Sequence, residues 1–141
     1  MTMADQHAAF WDLHQRGCFV IPNTWDVGST RYLQHLGFKA LATTSLGYAF
    51  SAGYADGEVP RGLMLDHIAE LVEASDLPVN ADFEGGYAHD PEGVAESVTM
   101  CVSTGVAGLS IEDATGDKDR PLYPFEQALV RVTVADGKAE R

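Results

Sequence analysis

The segment Leu77-Pro-Val-Asn-Ala-Asp-Phe-Glu-Gly-Gly-Tyr87, continuing through Ala-His-Asp90-Pro91, carries the architecture of this chain. Residues 77–83, entered through Pro78, read as a strand. Asp90 is suited to cap a helix and Pro91 to open it, and Val94, Val98 and Cys101 then recur on one face. Gly105 ends that helix, and residues 106–111 read as the next strand. The pattern is strand, helix, strand.

Working outward, the same alternation recurs. Residues 5–16 read as a short amphipathic helix with Ala8, Ala9, Phe10, Trp11 and Leu13 on its apolar side, closed by Gly17. Residues 18–21, between Gly17 and Pro22, read as a first strand, and residues 38–43 as the next. Between them, Val27, Tyr32, Leu33 and Leu36 mark a helix ending at Gly37. Residues 46–57, rich in Gly, Ala and Ser, suggest a loop with some short helix. Helices are expected over residues 61–74 and from about 124 to 134.

Strands separated by helices imply parallel β-α units with right-handed crossovers, and uniformly apolar strands imply a sheet covered on both faces. Four such units extrapolate to about eight in ~250 residues, the size of a (β/α)8 barrel of the TIM type. The expectation is an α/β fold in which residues 1–141 form a single partial barrel domain, about the first half. An open flavodoxin-like sheet is complete at this length and remains the rival.

With 141 residues, 45% of them hydrophobic and 21% charged, the chain is globular in composition. Nine Lys and Arg stand against 21 Asp and Glu, a formal net charge of −12. Such an excess repels nucleic acid and anionic lipid and favours cations. No apolar run reaches the ~20 residues of a membrane span, and no signal peptide is visible, so a cytoplasmic protein is expected. Cys18 and Cys101 lie in apolar runs and read as reduced core thiols. His7, His14, His35, His67 and His89 show no metal spacing and read as surface or helix residues.

Chemistry in parallel α/β folds collects at the C-terminal strand ends. There the sequence places Asp82 and Glu84, two residues apart and on one face of an extended strand. Glu112 and Asp113 end the next strand, and Asp56 follows the earlier one. Converging carboxylates repel one another, and a hard divalent cation removes that conflict. The same acids also suit helix capping, so both roles stay open at this point. Thr44, Ser45, Leu46 and Gly47 offer hydroxyls and backbone N–H groups to an anionic oxygen.

Taken in order, Asn23-Thr-Trp25-Asp26, Thr44-Ser-Leu46 with Asp56, Asp82-Phe-Glu84-Gly-Gly-Tyr87 and Gly108-Leu-Ser-Ile-Glu112-Asp113 resemble the isocitrate lyase / phosphoenolpyruvate mutase superfamily. The resemblance implies a barrel enzyme that binds Mg2+, or Mn2+, and a small 2-oxo or 2-hydroxy acid. It acts through a pyruvate-like enolate and assembles as a homo-oligomer, a dimer or tetramer. Asp82 matches the principal metal ligand; Glu84, Glu112 and Asp56 match carboxylates that hold the metal largely through water. Thr44, Ser45 and Leu46 match the loop receiving the substrate's oxygens, with Gly47 beside it. Trp25 matches a pocket wall and Asp26 a supporting residue.

Two departures refine this. Residues 114–124, Ala-Thr-Gly-Asp-Lys-Asp-Arg-Pro-Leu-Tyr-Pro, lack the Lys-x-Cys-Gly-His loop of isocitrate and methylisocitrate lyases. They resemble instead the carboxyvinyl-carboxyphosphonate phosphorylmutase-like branch, near oxaloacetate decarboxylases, phosphonopyruvate hydrolases and dimethylmalate-type lyases. A Mg2+-dependent lyase favouring C–C cleavage is therefore expected. The family's fifth-strand Arg has no counterpart here, so the alternative is a truncated, catalytically impaired remnant with weak cation binding.

Overall fold

A computed structural model describes residues 2–139. Its elements run α1 (Met3–Leu13), α2 (Val27–His35), β1 (Leu41–Ala42), α3 (Ser45–Ala52), α4 (Arg61–Glu73), β2 (Val79–Asp82), α5 (Pro91–Val102), β3 (Gly108–Ser110) and α6 (Phe125–Ala139). The strands form one parallel sheet in the order β1-β2-β3. Asn23 adds a parallel bridge to Ala42 on the far side of β1. Spatial order therefore follows chain order across four segments. A doubly wound sheet reverses order at its switch point, so the arrangement is an arc of a barrel, not closed among the described residues.

The segment expected as the first strand is corrected. Residues 18–21 are irregular, and only Asn23 pairs. The contact consists of Thr24 N–H to Ala42 O at 2.9 Å and Ala42 N–H to Pro22 O at 3.0 Å. Pro22 has no N–H to give, and the segment has a neighbour on one side alone. Cys18 is accordingly exposed, not a core thiol, whereas Cys101 is buried as expected, its thiol pushed up to about 12 by desolvation.

The pleat of β2 separates two environments. Ala81 and Phe83 are fully buried and pack on Met64, Leu65 and Ile68 of α4 and Cys101 of α5. A second cluster joins Val94 and Val98 of α5 to Ala135 of α6. Asn80 and Asp82 occupy the alternate, half-buried positions. Helices thus cover one face, and the opposite face is small and polar rather than equally covered. There Phe10 of α1 lies so close to Gly108 that a Cβ would sit 2.5 Å from its ring. Trp11, by contrast, is 70% exposed and no part of the core.

Helix α5 begins as its sequence dictates. The Asp90 carboxylate accepts from the Gly93 amide at 2.8 Å, Pro91 sits in the first turn, and Val94, Val98 and Cys101 are buried. Helix α1 anchors below the sheet through polar side chains. Gln6 donates to Leu77 O at 3.4 Å, and the His7 ring contacts Val106 O at 3.0 Å. Both carbonyls precede strands, so α1 lies at the N-terminal end and leaves the C-terminal ends open.

Candidate metal and substrate site

At those open ends lies a cavity of about 660 Å³ lined by Ser45, Leu46, Asp56, Asp82, Glu84 and Glu112 among others. Three separate connections deliver the acids. Asp82 ends β2, Glu84 follows it, Glu112 follows β3, and Asp56 sits in the turn after α3.

Asp82 is the most firmly held. Its Oδ2 accepts from both the backbone N–H and the hydroxyl of Ser45, each at 2.8 Å. Its own N–H donates to Thr43 Oγ1 at 2.9 Å. Ser45 is the first residue of α3 and Thr44 its cap, the Thr44 Oγ1 accepting from Gly47 N–H at 3.2 Å. The stretch expected as an anion-receiving loop is therefore a helix N-terminus, and two of its donors serve Asp82. The positive end of the helix dipole faces that carboxylate.

Glu84 has a left-handed backbone, φ 48°, and its Oε1 accepts from Tyr87 O–H at 3.0 Å. Desolvation pushes its pKa up, the Tyr87 bond works against this, and the charges of Asp82, Asp56 and Glu112 push further up. Glu112 is also pushed up, first by desolvation and then by Asp82, Asp56 and Asp113. The Glu112 N–H donates to Glu84 O at 2.8 Å, tying the two connections together. Burial and the Glu84 charge drive the Tyr87 phenol strongly upward, so it remains a donor.

Among the described residues, no three carboxylate, imidazole or thiol groups converge tightly enough to ligate one ion directly. Asp82, Glu84, Glu112 and Asp56 nevertheless line one cavity. Asp56 and Glu112 are exposed, Asp82 and Glu84 half-buried. The set nonetheless fits a hydrated hard cation. It is all oxygen, and Mg2+ characteristically keeps several waters and takes only one or two carboxylates. The guanidinium on the cavity wall, Arg61, is directed to Glu96 at 3.5 Å and Ser97 at 3.0 Å.

The remaining expected residues fall around this cavity. Leu46, 42% exposed, lines it. Trp25 packs beside Gly47, where a Cβ would come within 2.9 Å of the indole, and it lies outside the lining. Asp26 caps α2, accepting from Ser29 N–H at 2.6 Å, and its pKa is lowered by that bond. Reasoning from sequence missed Tyr87, Arg61 and the buried Arg131. Tyr87 stands three residues beyond Glu84, a spacing that was visible.

The family model for phosphoenolpyruvate phosphomutase matches residues 10–141. The chain belongs to that family. An uncharacterised protein of Mycobacterium tuberculosis is 39% identical over 112 residues, covering 78% of this chain and 42% of its own length. A Burkholderia cenocepacia J2315 structure described as a lyase/mutase superposes with a TM-score of 0.95 at 48% identity, covering 98% of this chain and 50% of that one. A 2,3-dimethylmalate lyase of the PEP mutase/isocitrate lyase superfamily gives 0.84 at 28% identity, covering 100% and 50%. A phosphonopyruvate hydrolase solved with oxalate and Mg2+ shares the fold, at 18% identity and a TM-score of 0.86. The chain thus spans about half the length of these relatives. Family members of this fold are enzymes, lyases, hydrolases and mutases among them.

Proposed function

We propose that this chain carries the cation and substrate side of a Mg2+-dependent lyase-type enzyme. Its substrate class is a 2-oxo or 2-hydroxy carboxylic acid, and it favours C–C over P–C cleavage. The observation carrying this reading is the single cavity at the C-terminal strand ends into which three connections deliver Asp82, Glu84, Glu112 and Asp56. A bound divalent cation supplies Lewis acidity for charge developing on a substrate oxygen.

The chain's own residues do the rest. Ser45 fixes the rotamer of Asp82 through two bonds to one oxygen, so that carboxylate needs no reorganisation on binding. Tyr87 holds Glu84, and the Glu112 amide holds the Glu84 carbonyl. First-turn amides of a helix lack intrahelical partners, and on α3 that of Leu46 is available to a substrate carboxylate.

Titration calorimetry with Mg2+ and Mn2+ tests the reading on wild type and Asp82→Asn. Wild type is expected to bind, and the variant to bind about tenfold or more weakly. Metal-dependent release of a 2-oxo acid from a panel of 2-hydroxy dicarboxylates would extend the result to turnover. Absence of a binding heat in the folded wild-type protein overturns the proposal.

A further inference from the structure

Arg131, on α6, is only 1% exposed, yet among the described residues it pairs with no carboxylate. Its fork is spent on backbone. One terminal nitrogen donates to Ala88 O and His89 O, both at 2.7 Å, and the other to Gly85 O at 2.5 Å. Its Cζ lies 4.1 Å from the centre of the Tyr123 ring, and the Tyr123 hydroxyl meets His89 Nδ1 at 2.5 Å.

All three carbonyls belong to residues 85–89, the connection that carries Glu84 at its start and Tyr87 at its middle. That connection is strained. Glu84 (φ 48°) and Tyr87 (φ 57°) adopt left-handed backbone without being glycine, at a cost of order 1 kcal/mol each. Such conformations persist where the surroundings over-determine them. The connection's backbone–backbone bonds are few, Gly86 N–H to Phe83 O at 2.9 Å and Glu84 O from Glu112 N–H at 2.8 Å, beside the Tyr87 O–H to Glu84 bond and a long Glu84 N–H to Asp82 Oδ1 contact at 3.5 Å. Burying a cation against neutral carbonyls is costly, and an aliphatic residue would fill the space without that cost. Only a planar, many-donor group reaches three carbonyls while stacking on a ring.

We infer that Arg131 is a positioning residue. It locks residues 84–89 in the one backbone path that presents Glu84 and Tyr87 to the cavity. Through Tyr123 it also ties that path to the connection following β3. The consequence for cation affinity rests on the function proposed above; the locking itself does not.

Amide hydrogen exchange by NMR on wild type, Arg131→Met and the milder Arg131→Lys tests it. Gly86 and Glu112 amides are expected to exchange about tenfold faster in Arg131→Met, while Ala81 and Val98 stay within about twofold of wild type. Mg2+ affinity should fall about tenfold in parallel. Lysine keeps the charge but not the fork, so it should leave Gly86 exchange fast; if methionine prevents folding, the lysine variant decides by the same comparison. Unchanged Gly86 and Glu112 exchange, or equal acceleration at all four amides, overturns the inference. A wild-type protein that takes no Mg2+ removes the cation reading of the cavity, and the exchange pattern still decides Arg131.

Discussion

Ser45 gives both its backbone N–H and its hydroxyl to one oxygen of Asp82, each at 2.8 Å. The pair joins the first turn of α3 to the end of β2, so the helix start of one unit sets the carboxylate of the next. Because Ser45 is buried, water does not readily replace the lost hydroxyl. Ser45→Ala is therefore expected to cost about 1–2 kcal/mol, read from the urea midpoint. It should also weaken Mg2+ binding severalfold, since the remaining amide bond leaves Asp82 free to rotate. A variant as stable as wild type and binding equally well would contradict this account of Asp82.

Glu84 offers a contrasting trade. Desolvation and three neighbouring acids oppose its charge, with the Tyr87 bond in partial compensation. Glu84→Gln keeps the shape and removes the repulsion. Its thermal midpoint without metal should rise by about 2–4 °C, the scale of 1 kcal/mol for a chain of this size. Added Mg2+ should stabilise it less than it stabilises wild type, because a carboxylate is gone from the cavity. Melting curves with and without Mg2+ give both numbers.

His67 predicts a pH dependence. The ring is 4% exposed, stacks on Tyr48 at 3.7 Å and leaves Nε2 without a partner among the described residues. Burial lowers its pKa from 6.5 to about 4, slightly opposed by Asp26. Between those values the unfolded chain takes up a proton that the folded chain refuses. Stability is full above pH 6.5 and falls as the pH drops towards 4, by up to about 3 kcal/mol. His67→Phe keeps the stacking and removes the titration. The slope of denaturant stability against pH should flatten over that window in the variant, and persistence of the slope would assign it elsewhere.

Legibility in the sequence followed the range of the signals. Helix α5 was plain because Asp90, Pro91, Val94, Val98 and Cys101 act within four turns of one another. The acids at the strand ends were plain because Asp82 and Glu84 stand two residues apart where the strand gives way to Gly85 and Gly86. Residues 18–21 carried an apolar mark but lack partners on both sides, and a run of apolar residues says nothing of its neighbours. Thr44 to Gly47 looked like a loop because Ser, Thr and Gly disfavour helix interiors. The same residues favour a helix start, which is where they sit. Arg131 left no local trace at all: its acceptors lie over forty residues away.

The closeness of Gly108 and Phe10 yields the last test. An added Cβ on Gly108 would stand 2.5 Å from Phe10 Cε1 and 2.9 Å from Asn80 Oδ1. Neither neighbour yields easily: Asn80 sits in the central strand, and α1 is fixed from below by Gln6 and His7. Gly108→Ala should therefore destabilise by about 1–3 kcal/mol, the usual range for overpacking. Phe10→Leu trims the closer obstacle, so the double variant should lose less than the two single losses added. A double-mutant cycle on unfolding free energies measures that coupling. Strict additivity would mean that α1 does not press on the sheet, and the small, polar face at the base of the arc would then be open.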